Sequence, residues 1–114
     1  MEYKYGKFSD SQFFQYQKKI QNSIFFLLLC ADKKTKENFL NVDVNKAFEN
    51  LQYRISGLNS ILSYPPEVVH VVTLLEEARR IYNQTPFQFL VYKKLILDAG
   101  AEIMKIKEVQ HADP

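Results

Sequence analysis

A single cysteine, Cys30, is all the thiol chemistry this sequence carries. One cysteine cannot close an internal disulfide. That excludes a disulfide-stapled secreted domain and makes a reduced, cytoplasmic setting the expectation. Glycine and proline are scarce as well, three and four in 114 residues, which supplies too few turns for an all-β fold. Long apolar runs are missing: the longest, Ile24 to Ala31, is eight residues, whereas a spanning helix needs about 20. The opening segment, 1–12, has no apolar centre, so no secretory signal is expected. An excess of one charge is also lacking. Fifteen basic residues against thirteen acidic ones leave a net charge of +2, too balanced to point to nucleic acid or a membrane by charge alone.

What is present is a bulky apolar set, with nine Phe and seven Tyr in a chain that is 46% hydrophobic. The length suits one domain, 1–114, with 1–8 and 109–114 expected to be flexible. The abundance of Lys, Asn, Gln, Ile, Phe and Tyr suggests an AT-rich bacterial or phage genome. The run Ile24–Cys30 poses the first structural question, because it reads as a buried strand or as the end of a helix. A strand would make a hairpin with the alternating Leu40, Val42 and Val44. A helix is favoured by what precedes the run: Ser9 and Gln12 match a capping box, and Phe13, Tyr16, Ile20, Ile24 and Leu27 recur at helical spacing.

Four helices follow from the same reasoning, at about 10–31, 43–63, 66–82 and 86–108. The second has Asp43 as N-cap and a seam of Val44, Phe48, Leu51, Ile55, Leu58 and Leu62 stepping four and three. Gly57, just off this seam, implies close approach by a neighbour. Pro66 suits the first position of the third helix, with Glu67 at the positive end of its dipole. Val68, Val71, Val72, Leu74, Leu75, Ala78, Ile81 and Tyr82 give that helix a wide apolar face, and Glu76 and Arg80 are spaced to pair. Thr85, Pro86 and Gln88 repeat the capping device for the fourth helix. The expected fold is an all-α, single-domain antiparallel four-helix bundle. The 63–66 and 83–86 connections are short; the one at 32–42 is long enough to cross over.

Signatures of catalysis are absent: no GxGxxG, P-loop, HExxH, CxxC or GxSxG occurs. His70 and His111 are far apart and lack a second ligand at helical spacing, so neither metal nor cofactor is expected. Cys30, at the negative end of a helix, reads as inert. Glu76, Glu77, Asp98 and Glu102 could serve a metal-dependent nucleotide enzyme, but antiparallel packing about residue 84 keeps the four apart. Paired lysines (Lys18–Lys19, Lys33–Lys34, Lys93–Lys94) with Tyr3, Tyr5, Tyr16 and Tyr53 offer phosphate and stacking contacts. Adjacent helical residues diverge by about 100°, so no continuous basic stripe results, and a nucleic-acid accessory role is the weaker reading.

The fourth helix exceeds what a bundle needs. Beside a core stripe of Val91, Tyr92, Leu95, Ala99, Ile103 and Ile106 it carries Leu90, Leu97, Ala101 and Met104 on the opposite side. A helix apolar on two sides is central or covered by a partner. Phe14 and Phe25 likewise leave the main face of the first helix. The expectation is a non-enzymatic protein that binds another protein, or itself as a homodimer, through that second stripe, rimmed by Lys93, Lys94 and Lys105. Small bacterial and phage immunity or anti-defence proteins share this size and architecture, an analogy of architecture alone.

Overall fold

The computed structural model describes residues 2–3, 6–7, 10–61 and 65–106. Near the N-terminus β1 (Glu2–Tyr3) pairs antiparallel with β2 (Gly6–Lys7), Glu2 opposite Lys7. The rest is built on α1 (Asp10–Leu29), a short 3-10 turn (Lys36–Phe39), α2 (Val44–Ile61), α3 (Pro66–Tyr82) and α4 (Phe89–Ile103). The helices form a four-helix bundle in which α1 contacts α2 and α4, and α3 contacts α2 and α4. Cross-helix contacts fix the directions as antiparallel. Gln17, early in α1, reaches the end of α4, whereas Leu27, late in α1, meets Tyr92 near its start. Arg79, at the end of α3, reaches Asn45 and Glu49 at the start of α2.

The core is assembled from one stripe per helix. The seam of α2 is buried as its spacing requires, through Val44, Phe48, Leu51, Ile55 and Leu58; Leu62 lies outside the described residues. On α1, Phe13, Ile20, Ile24 and Leu27 are buried while Tyr16 is half-buried, and Gln17 takes the remaining core position. On α3 the buried line is Val68, Val71, Leu75, Ala78 and Ile81. Each large aliphatic side chain withdrawn from water contributes about 1.5–3 kcal/mol before conformational entropy is set against it.

The apolar run ends a helix. Leu29 is the last residue of α1, and Cys30 and Ala31 turn off it while staying buried. The Thr35 hydroxyl donates to the Leu29 carbonyl at 2.7 Å, satisfying one of the orphan acceptors of the helix end. Phe39 then lays its ring edge-on against Phe26, 5.1 Å between centroids. This contact and the cap hold residues 30–43 as a compact corner, so no hairpin forms. The corner delivers the chain to an adjacent α2 and not across the bundle. The Asp43 carboxylate accepts the Lys46 N–H at 3.0 Å, the anticipated N-cap. Pro66 opens α3 as its spacing implied, whereas the Ser9–Gln12 capping box falls partly outside the described residues.

The fourth helix departs from its expected bounds at both ends. It starts at Phe89, with Gln88 at the N-cap and no side-chain cap, so Thr85 and Pro86 do not open it. The Thr85–Pro86 peptide is cis, and residues 83–88 form a turn organised by aromatic packing. Phe87 places its ring 5.9 Å from Tyr82, 6.2 Å from Phe89 and 5.4 Å from Tyr92. The helix ends at Ile103, where Met104 and Lys105 tighten onto the carbonyls of Ala101 and Glu102. Residues 107–114 lie outside the described part. The core line of α4 is Tyr92, Ile96, Ala99, Gly100 and Ile103, with Ile106 beyond it. Val91, expected in that line, is 42% exposed, because Ile96 and Gly100 shift the buried face away from it.

The glycines exchange roles relative to expectation. A methyl group at Gly57 would meet nothing within 4 Å, so no neighbour among the described residues requires that glycine. Gly100 is the site of close approach: the Phe25 ring lies where its Cβ would be. Phe25 therefore packs onto α4, although its spacing had set it off the main face of its helix.

Candidate functional site

The outward face of α4 displays the residues expected to bind a partner. Leu90 is 78% exposed and Leu97 42% exposed, and Ala101, Lys93, Lys94 and Lys105 are exposed with them. Met104 is half-buried and packs against the core, so it only borders the stripe. Lys94 pairs with Asp98 at 2.9 Å, one turn along the helix, and Lys105 with Glu102 at 3.4 Å. Val91 joins the exposed set, and with Leu90, Lys94, Leu95 and Asp98 it lines a shallow hollow of about 290 Å³. On α1, Phe14 is 54% exposed.

No protein-family model, curated protein or solved structure matches this chain.

The four carboxylates weighed for metal or nucleotide chemistry are dispersed. Glu77 pairs with Arg80, and that guanidinium, by hydrogen bond and charge, holds the carboxyl below its usual range. This replaces the anticipated Glu76–Arg80 pair: three residues apart proved closer than four. Glu102 accepts from His70 Nδ1 at 3.2 Å across the α3–α4 interface. Partial burial pushes its carboxyl up, but the His70 and Lys105 hydrogen bonds and charges outweigh that and hold it low. Asp98 is committed to Lys94. Among the described residues no group of three or more His, Cys, Asp or Glu side chains could hold a metal ion. Cys30 is buried, and desolvation pushes its thiol up, away from the thiolate that nucleophilic chemistry needs. No helix among the described residues is long and apolar enough to cross a membrane.

Two grooves flank α2. The larger, about 730 Å³, lies against α3 between Tyr53 and Arg80, and Tyr53 is 83% exposed beside it. Its charges are largely satisfied: Arg79 donates to Glu49 at 3.1 Å and to Asn45 at 2.9 Å, and Asn83 joins Asn45 at 2.8 Å. The smaller groove, about 360 Å³, separates α1 from α2. Of the other tyrosines weighed for stacking, Tyr16 is half-buried, and the side chains of Tyr3 and Tyr5 fall outside the described set.

The polar positions that matter most inside the fold were not singled out by motif. Gln17 is buried, and its amide donates to the carbonyls of Ile103 at 3.0 Å and Ile106 at 2.8 Å. The signal was available, because 13, 17, 20, 24 and 27 step four and three, and a lone Gln in an apolar series implies a buried partner. Gln21, one turn on, donates to the Gly100 carbonyl at 3.0 Å. Together these amides seat the end of α4 against α1.

Proposed function

We propose that this is a small non-enzymatic protein that acts inside the cell by protein–protein contact through the outer face of α4, as an inhibitor or adaptor does. One observation carries the reading: Leu90 and Leu97 are 78% and 42% exposed on the side of α4 opposite its core line. Leaving two leucines in water on a helix that already has a complete core line is unfavourable, and a covering partner removes the penalty. The rim puts little net charge in the way of a second copy, because Lys94 pairs with Asp98 and Lys105 with Glu102 within the chain, and two copies of the same face meet through a two-fold contact. A second copy is thus the first occupant to test.

Burying two leucines from each copy gives a few kcal/mol per copy, comparable to the roughly 4–15 kcal/mol lost on association. Self-association through this stripe alone is therefore weak, with detectable dimer only in the micromolar range or above. Phe14, 54% exposed on α1, is a further apolar side chain open to a larger partner. Sedimentation equilibrium of the full chain tests the reading. A monomer–dimer equilibrium that Leu97→Glu abolishes, with an unchanged far-ultraviolet spectrum, supports it. A strict monomer whose Leu97→Glu variant unfolds overturns it, because Leu97 would then belong to the core.

A further inference from the structure

The groove between α1 and α2 has a different character from the face of α4 and shares no lining residue with it. Phe26, Ala47 and Leu51 give it an apolar floor, and Asn22, Ser23, Asn50 and Arg54 its polar walls. Of the three arginines in the chain, Arg79 and Arg80 pair with Glu49 and Glu77. Arg54 does not: its hydrogen bond is a long one, 3.5 Å, to the Ser23 hydroxyl.

Among the described residues, the carboxylates that α2 and its N-cap carry are committed elsewhere. From Ser11 to Leu29 the first helix has no acidic residue. On α2 the one acid, Glu49, is drawn to α3 by Arg79, and the Asp43 side chain caps the helix. Lys19 precedes Ser23 by one turn, and Lys46 precedes Asn50 by one turn; both are exposed. Among the described residues no ion pair involves α1, Lys46 or Arg54. Among the described residues the groove is therefore a positive region without a compensating carboxylate, and its walls also carry two amides and a hydroxyl.

Such walls select an oxyanion. A guanidinium offers a planar fork of donors, and hydrogen bonds to an ionised acceptor are about twice as strong as neutral ones. With the Asn22 and Asn50 amides, three donor groups and at least six N–H bonds stand around one space; the Ser23 hydroxyl already donates to the Lys19 carbonyl at 3.1 Å. That suits the several acceptor oxygens of a phosphate better than the two of a carboxylate. The volume, about 360 Å³, lies at the small end of ligand sites, which run roughly 300–1,000 Å³. It has room for one phosphate and one ring-sized apolar group on the floor of Phe26 and Leu51.

We infer that the α1–α2 groove binds a small phosphate monoester, with Arg54 as its anion anchor. The probes are phenyl phosphate and inorganic phosphate, titrated into the full chain at constant ionic strength. Side-chain amide resonances of Asn22 and Asn50 and the Arg54 Nε–H give the readout. Both probes should shift these resonances saturably, phenyl phosphate binding more tightly because its ring reaches the apolar floor. Arg54→Gln should weaken phenyl phosphate about tenfold or more, the loss of one charge-assisted hydrogen bond. Arg80→Gln, on the other groove, should leave it unchanged, and both variants should keep the native spectrum. Shifts that never saturate, or that Arg54→Gln and Arg80→Gln reduce alike, overturn the inference. So does a single-stranded oligonucleotide that binds far more tightly than phenyl phosphate and loses affinity in Lys18→Gln or Lys19→Gln. The groove would then be one stretch of a nucleic-acid track.

Discussion

Replacing Tyr92 by Phe removes one oxygen from the middle of the bundle. The ring is fully buried and keeps its neighbours: Phe48 at 6.4 Å, Tyr82 at 5.9 Å and Phe87 at 5.4 Å between centroids. What disappears is the 2.7 Å hydrogen bond from the phenol to the Leu27 carbonyl. In a continuing helix that carbonyl would accept from Ala31, but Ala31 donates to Leu28 at 3.0 Å as the chain turns away. The variant thus strands a buried acceptor, at a cost of about 1–3 kcal/mol, with no cavity term to add. Equilibrium unfolding in urea should show a lower midpoint at unchanged slope, whereas Tyr53→Phe, on the exposed side of α2, should stay within about 0.5 kcal/mol of the parent. The pH dependence gives a second handle. Burial, with Cys30 and Tyr82 nearby, pushes the Tyr92 phenol well above its ordinary value. A folded pKa raised above the unfolded one means the contribution is complete below about pH 10 and is lost as pH rises beyond it. The gap between parent and Tyr92→Phe should therefore narrow above pH 10. A loss of under about 0.5 kcal/mol at neutral pH, or two stability curves that run parallel into alkali, would refute this account of α1 and α4.

The two helical glycines should respond in opposite directions to the same substitution. Gly57→Ala, facing open space, should stabilise by about 0.5–1 kcal/mol through helix propensity. Gly100→Ala pushes a methyl into the Phe25 ring and should destabilise by about 1–3 kcal/mol, partly recovered when Phe25→Leu is added; equal effects from both glycines would remove the close-approach argument. Leu51→Ala or Ile55→Ala should each cost about 2–5 kcal/mol in urea unfolding, the usual result of emptying a packed position. A change below about 0.5 kcal/mol at both would place the α2 seam outside the core.

Periodicity was legible where one physical effect dominated. The seam of α2 steps four and three without interruption, carries an Asp at its start, and is buried as that pattern demands. The third helix kept its bounds because Pro66 can only begin a helix there. The misreadings arise where tertiary contacts compete with local signals. Thr85, Pro86 and Gln88 form a good capping motif, but packing Phe87 among Tyr82, Phe89 and Tyr92 places the helix start three residues later. Helical spacing fixes only relative angles, so the stripe of α4 was centred too near Val91; Gly100 faces inward because Phe25 covers it, and a glycine adds nothing to an apolar pattern. The outward leucines were recognisable because no bundle needs both sides of one helix. The α1–α2 groove was not, because the relevant fact is where the carboxylates are not, and that depends on which helix claims each one.

The Gln17 amide also sets an order of events during synthesis. Its acceptors, Ile103 and Ile106, lie 86 and 89 residues further along the chain. At translation rates of roughly 5–20 residues per second, this side chain waits about 4–18 seconds before its second carbonyl has been made. Throughout that interval the Gln17 amide lacks its acceptors and the side of α1 that meets α4 is uncovered, while α1, α2 and α3 can already make their own contacts. The helix made first is thus among the last to be locked, since its buried amide is satisfied only once residue 106 has been made.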